Sequence, residues 1–106
     1  MRTIKPLDLP KFYVLLALSS GPLHGYAIHE QVQADSNGGV YFSYPWLYKT
    51  LSELEQRGLI EQRVDLSPSK GPVRKTFALT LHGKRLLRML GADLHEAGRL
   101  AQKRLA

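Results

Sequence analysis

The sequence predicts a mainly α-helical chain with a small β-hairpin and a long closing helix, and three observations predict it. Apolar residues recur at helical spacing in separate stretches bounded by capping residues or by Gly, Pro and Asn signals. Between residues 60 and 79 the apolar period shortens to alternation, interrupted by a Pro/Gly-containing break. Beyond residue 80 the helical period returns and continues nearly to the end of the chain.

Asp8 can cap a first helix that starts at Leu9, tolerates Pro10 in its first turn, and carries Phe12, Leu15, Leu16 and Leu18 on an apolar face. Gly21-Pro22 ends it. The segment HGYAIHEQVQ forms a second, short helix with Ile28 and Val32 one turn apart, stopped by Asn37-Gly38-Gly39. Ser43 is a good N-cap for a third helix, with Pro45 in the first turn and Leu47, Leu51 and Leu54 as its buried stripe. Gly58 stands where a left-handed C-cap belongs. Ile60, Val64 and Leu66 then mark one strand, and Val73, Phe77 and Leu79 a second. Residues 67–72, SPSKGP, read as a hairpin loop too wide for a two-residue turn.

Thr80 can cap the last helix, in which Leu87, Leu90, Leu94, Ala97 and Ala101 form a heptad-like seam. A helix of about 25 residues is ~38 Å long, more than so small a domain can cover. The uncovered seam requires a second helix, most simply the same one from another chain, so a symmetric homodimer is expected. The order is therefore a winged helix-turn-helix over residues 1–79 and a dimerisation helix over 80–106.

With 106 residues and 43% hydrophobic content, the chain can bury one good core. It has no cysteine, which excludes disulfides, thiolate zinc sites and a Cys nucleophile and favours an intracellular setting. No apolar run approaches the ~20 residues that span a bilayer, and the start, MRTIKPLDLPKF, contains no clear cleavage signal. A cytoplasmic protein with no membrane partner is expected. The net charge of +6 calls for an anionic partner, and its distribution, 0 over residues 1–40, +2 over 41–79 and +4 over 80–106, places that charge on a folded surface rather than a tail. His24, His29, His82 and His95 do not complete a recognisable metal-ligand pattern, and no nucleophile elbow, phosphate loop or dinucleotide fingerprint occurs. Neither a cofactor nor an enzymatic activity is expected.

Three motifs narrow the reading. LLALSSGPLHGYAIHEQV contains His24-Gly25-Tyr26; LYKTLSELEQRGLI contains Leu47-Tyr48, Leu51, Leu54-Glu55 and Gly58-Leu59; FALTLHGKRLL contains Leu79-Thr80 and Gly83. In this order and spacing they resemble the PadR family of bacterial and archaeal transcription regulators, over roughly residues 9–90. The short C-terminal region looks like the small-bodied branch of that family, whose members dimerise through that helix. The resemblance implies double-stranded operator DNA as partner, and release by a small aromatic or lipophilic effector. This chain carries Lys49 where the family commonly has proline, Ser52-Glu53 where a basic pair is common, and Pro45-Trp46 where small residues are frequent. These departures fall on the helix expected to enter the major groove.

If the third helix is the recognition helix, its first turns face DNA while its leucines face the core. Ser43, Tyr44, Tyr48, Lys49 and Ser52 suit that role: hydroxyls donate to phosphate oxygens, and Lys49 reaches phosphate or guanine. Trp46 fits either a contact with thymine methyls or packing beneath the hairpin, and Tyr44 is open in the same way. Tyr26, by the resemblance, touches phosphate beside the start of the second helix, whereas His24 caps it. Lys70, Arg74 and Lys75 place positive charge on the wing, where it meets the flanking backbone or the minor groove; a solvated turn is the alternative. Arg57 suits the C-terminal dipole of the third helix. The basic last helix is open to an anionic lipid surface, although charges flanking a dimer seam explain it more simply. Competing functions are a winged-helix module that binds a protein through its aromatic helix end, or one that sequesters a small molecule between dimer helices.

Overall fold

The structure is a computed structural model that describes residues 7–65 and 74–106. The helices are α1 (Leu9–Ala17), α2 (Gly25–Asp35), α3 (Tyr44–Gln56) and α4 (Leu81–Leu105), and the strands are β1 (Ile60–Asp65) and β2 (Arg74–Leu79). The winged helix-turn-helix order expected from the sequence is present.

Each helix begins on the side chain that the sequence offers. Asp8 accepts from the Lys11 N–H at 3.0 Å, His24 Nδ1 from Ala27 at 3.3 Å, Ser43 Oγ from Trp46 at 3.2 Å and Thr80 Oγ1 from Gly83 at 3.0 Å. The ends are as local. A 3-10 turn, Leu18–Ser20, follows α1; α2 runs into Asn37 and Gly38, both in the left-handed region at φ 54° and 76°. After α3, Gly58 at φ 73° lets its own N–H reach the Glu55 carbonyl at 2.9 Å and the Leu59 N–H reach the Leu54 carbonyl at 3.0 Å, a Schellman closure that aims the chain into β1.

β1 and β2 pair antiparallel, from Ile60 opposite Leu79 to Asp65 opposite Arg74. Leu23 adds a short third edge, exchanging backbone hydrogen bonds of 3.0 and 2.8 Å with Phe77. Ile60, Phe77, Ala78 and Leu79 are buried at the base of the hairpin. Val64 departs from the alternation and is 50% exposed: it shares a strand face with buried Ile60 at the base of the hairpin, but no described residue buries that face at its own level. Leu66, Val73 and the loop expected at 67–72 lie outside the described residues.

Val14 and Leu15 of α1, Leu18 of the 3-10 turn, Ile28 and Val32 of α2, the three leucines of α3, Leu59 and Leu86 belong to one core. α1 differs in rotation from the expected face: Val14 and Ala17 are buried while Phe12 and Leu16 sit half-buried at the rim. The reason is that α1 packs against both α2 and α4, which widens and turns its buried sector. The first turns of α4 belong to this core through Leu86, with Leu87 and Leu90 packed against it. Gly83 is buried with its Cα against the Leu59 carbonyl, where a Cβ would collide. From Ala92 onward α4 is exposed except at half-buried Leu100.

Candidate nucleic-acid interface

The stripe Leu47, Thr50, Leu51 and Leu54 anchors α3 in the core, so the opposite ridge must face outward. Tyr44, Pro45, Tyr48, Lys49, Ser52 and Gln56 are exposed along it. Gln56 was not foreseen, although its position four residues after Ser52 continues the ridge. Ser43 spends a lone pair on its cap while keeping a hydroxyl hydrogen to donate. Trp46 turns to the protein side: its ring lies 4.6 Å from that of Phe42 and packs on the core.

An aromatic ladder ties the start of α3 to α2. His29 Nε2–H donates to the Phe42 carbonyl at 3.0 Å, and its ring stacks on Tyr44 with centroids 4.5 Å apart. Tyr44 in turn stacks on Tyr26 at 6.2 Å, and Tyr41 meets His29 edge-on at 6.0 Å. Partial burial in this ladder raises the Tyr44 phenol above its ordinary pKa, with further upward pushes from Tyr26, Glu30, Tyr48 and Tyr41. His29, Tyr41 and Phe42 were not foreseen as part of the site, since a histidine in mid-helix and a linker aromatic carry no distinctive spacing.

Between the start of α2, the outer side of α3 and the hairpin lies a groove of about 580 Å³. Four expected residues from three parts of the chain line it: Tyr26 of α2, Tyr48 and Ser52 of α3, and Lys75 of β2. Its floor includes Leu51 and Phe77, and Gln62 spans one side by donating to Glu55 at 3.0 Å. The hairpin register explains Lys75, since Val64 opposite Lys75 and Gln62 opposite Phe77 share one face of the ladder. Phe77 and Leu79 of that face were legible in the alternation; the role of Gln62 was not, because it depends on the neighbouring helix. Neither Lys49 nor Lys75 forms an ion pair with a described residue. Lys70 lies outside the described residues, and Arg74 is described through its backbone alone.

On α4, Leu87 and Leu90 are partly covered by their own domain, Leu94 is 45% exposed, and Ala97 and Ala101 are open to solvent. Arg99 grips Glu96 through two hydrogen bonds of 2.6 and 3.0 Å, which hold that carboxyl below the usual carboxylate range. Among the described residues no three acidic, histidine or cysteine side chains gather as a metal site, and no helix is long and apolar enough to cross a membrane.

The model of the transcriptional regulator PadR-like family matches residues 14–89. Among solved structures, a PadR family transcription regulator from Clostridium difficile is similar over 93% of this chain and 100% of its own, at 20% identity and a TM-score of 0.79. One from Eggerthella lenta is 31% identical over 87% of this chain and 80% of its own, with a TM-score of 0.65. Bacillus subtilis PadR, solved in complex with operator DNA, is 26% identical over 80% of this chain and 48% of its own, with a TM-score of 0.68. No match is found among curated proteins.

Proposed function

Because the chain belongs to the PadR-like family of transcriptional regulators, we propose that it is a homodimeric, sequence-specific repressor that binds an inverted-repeat operator. The observation that carries this reading is the convergence of Tyr26, Tyr48, Ser52 and Lys75 on one groove beside the exposed ridge of α3. Polar donors, with Lys49 and Lys75 in no ion pair among the described residues, suit a polyanion, and the exposed ridge of α3 suits a major groove. In this reading Ser43, Tyr44, Tyr48, Lys49 and Ser52 serve the helix end. Lys75, with Arg74 and Lys70, serves the wing. Trp46 supports α3 from the protein side, where it packs on Phe42.

Residues 80–106 supply dimerisation. Leu94, Ala97 and Ala101 are apolar and uncovered in the single chain, and a second α4 laid along them would continue the seam begun by Leu87 and Leu90. The two-fold axis then sets half-sites about one helical turn, roughly 10 base pairs, apart. A dimer lying across a promoter blocks it, hence repression. Release by a small aromatic or lipophilic effector belongs to the same proposal and rests on the family resemblance.

Fluorescence anisotropy tests the reading: the purified protein is titrated with labelled duplex from its own promoter region and with a shuffled duplex, across a salt series. Preference for the promoter by about 10³-fold or more, with affinity falling steeply as salt rises, is the expected result. Equal, weak, salt-insensitive binding to both would refute it and turn attention to a protein or small-molecule partner.

A further inference from the structure

Gly25 opens α2, and its backbone gives no reason for glycine. It lies in the helix and is not among the positive-φ residues, so alanine, the better helix former, would suit the conformation. The reason is spatial. A Cβ at position 25 would lie 2.8 Å from Cζ and 3.1 Å from Cε1 of Tyr48, and closer still to its hydroxyl oxygen. The phenol of Tyr48, carried by α3, rests on the first turn of α2 in the space that any side chain at 25 would occupy. Yet Tyr48 remains 53% exposed, so one part of the ring is held and the rest faces the groove it shares with Tyr26, Ser52 and Lys75.

We propose that Gly25 is a positioning residue whose missing side chain is the seat of the Tyr48 phenol, and that this seat aims the Tyr48 hydroxyl at a DNA phosphate. The second half rests on the DNA-binding reading given above; the first half does not. Tyrosine is suited to the task because its ring has only two side-chain torsions to freeze, and contact with α2 removes that freedom before DNA arrives. The seat also joins two helices that each contribute to the groove. The hydroxyl is thereby registered against Tyr26 and Lys75 rather than left to sample solvent. Alanine at position 25 would push the ring off its seat while leaving both helices formed.

The test is a double-mutant cycle of Gly25→Ala, Tyr48→Ala and the combined variant, read by operator affinity, by thermal melting, and by NMR contacts between the Gly25 Hα and the Tyr48 ring protons in the free protein. Those contacts should be present in the wild type and lost in Gly25→Ala. Gly25→Ala should weaken operator binding about tenfold per half-site, the size of one hydrogen bond to a charged acceptor, and so about a hundredfold for a dimer using both half-sites. The combined variant should bind no worse than Tyr48→Ala alone. In melting, Gly25→Ala should raise the transition once Tyr48 is absent, where only the helix preference remains, and should lose that gain when Tyr48 is present. Additive losses in affinity with additive shifts in melting, or a wild type without the ring contacts, would overturn the seat. Should the wild type bind no operator, the phosphate contact falls with the DNA reading, and the ring contacts and melting coupling alone decide the seat.

Discussion

Replacing Thr80 with alanine tests how the winged domain is joined to its arm. The Thr80 hydroxyl has two jobs: its oxygen accepts from the Gly83 N–H at 3.0 Å, capping α4, and its hydrogen is donated to the Gly58 carbonyl at 2.6 Å, in the turn that closes α3. Loss of an N-cap costs about 1 kcal/mol. The second bond is worth about 0.5 kcal/mol here, because Gly58 is exposed and water can replace the lost donor. Thr80→Ala should therefore destabilise by about 1.5 kcal/mol, equivalent to roughly 5–10 °C in Tm for a chain of this size. Thr80→Ser retains both bonds and should stay within about 0.5 kcal/mol of wild type. The assay is urea unfolding followed by helical circular dichroism at one fixed protein concentration, since the proposed dimer would make apparent stability depend on concentration. An alanine variant as stable as wild type, or a serine variant as damaged as the alanine one, would show that the hydroxyl does not make the junction.

Four further outcomes are expected. Leu94→Asp places a charge in the proposed seam where its own domain gives no cover, so sedimentation should show the dimer weakened by at least tenfold with the monomer still folded. Lys75→Ala should reduce the slope of log affinity against log salt by about 0.9 per wing, or about 1.8 for a dimer using both wings, with losses equal across operator sequences. Gly83→Ala should destabilise by about 2 kcal/mol or more in urea unfolding, because the new methyl meets the Leu59 backbone, which cannot swing aside. The fourth is a pH effect at Tyr44. Its folded-state pKa lies above the unfolded value, so the fold holds the proton longer; the associated stability is present below about pH 10 and declines as pH rises through the folded value. Tyr44→Phe should flatten that alkaline decline in melts taken from pH 8 to 11.

The boundaries of this protein were legible in the sequence because they are local. Asp8, Ser43 and Thr80 cap the helices they precede, and Gly21, Asn37-Gly38 and Gly58 stop them, since a cap needs only the three or four residues beside it. The leucine stripe of α3 was equally plain, and with it the ridge that carries Tyr48, Lys49 and Ser52. The motifs around Tyr26, Tyr48 and Thr80 were enough to reach the PadR family.

What tertiary structure decided is everything that depends on which neighbour arrives. Val14 rather than Phe12 is buried because α1 is wedged between two helices, and Val64 is exposed although it shares a strand face with buried Ile60. Leu23 becomes a strand edge only where Phe77 stands beside it. Trp46 turns inward to Phe42, His29 becomes the middle of an aromatic stack, and Gly25 gives up its side-chain space to a tyrosine 23 positions later. Periodicity states that a helix has a face and a strand alternates; it cannot state what covers them. That is set by close packing among distant segments, where one missing methyl group leaves room for a ring.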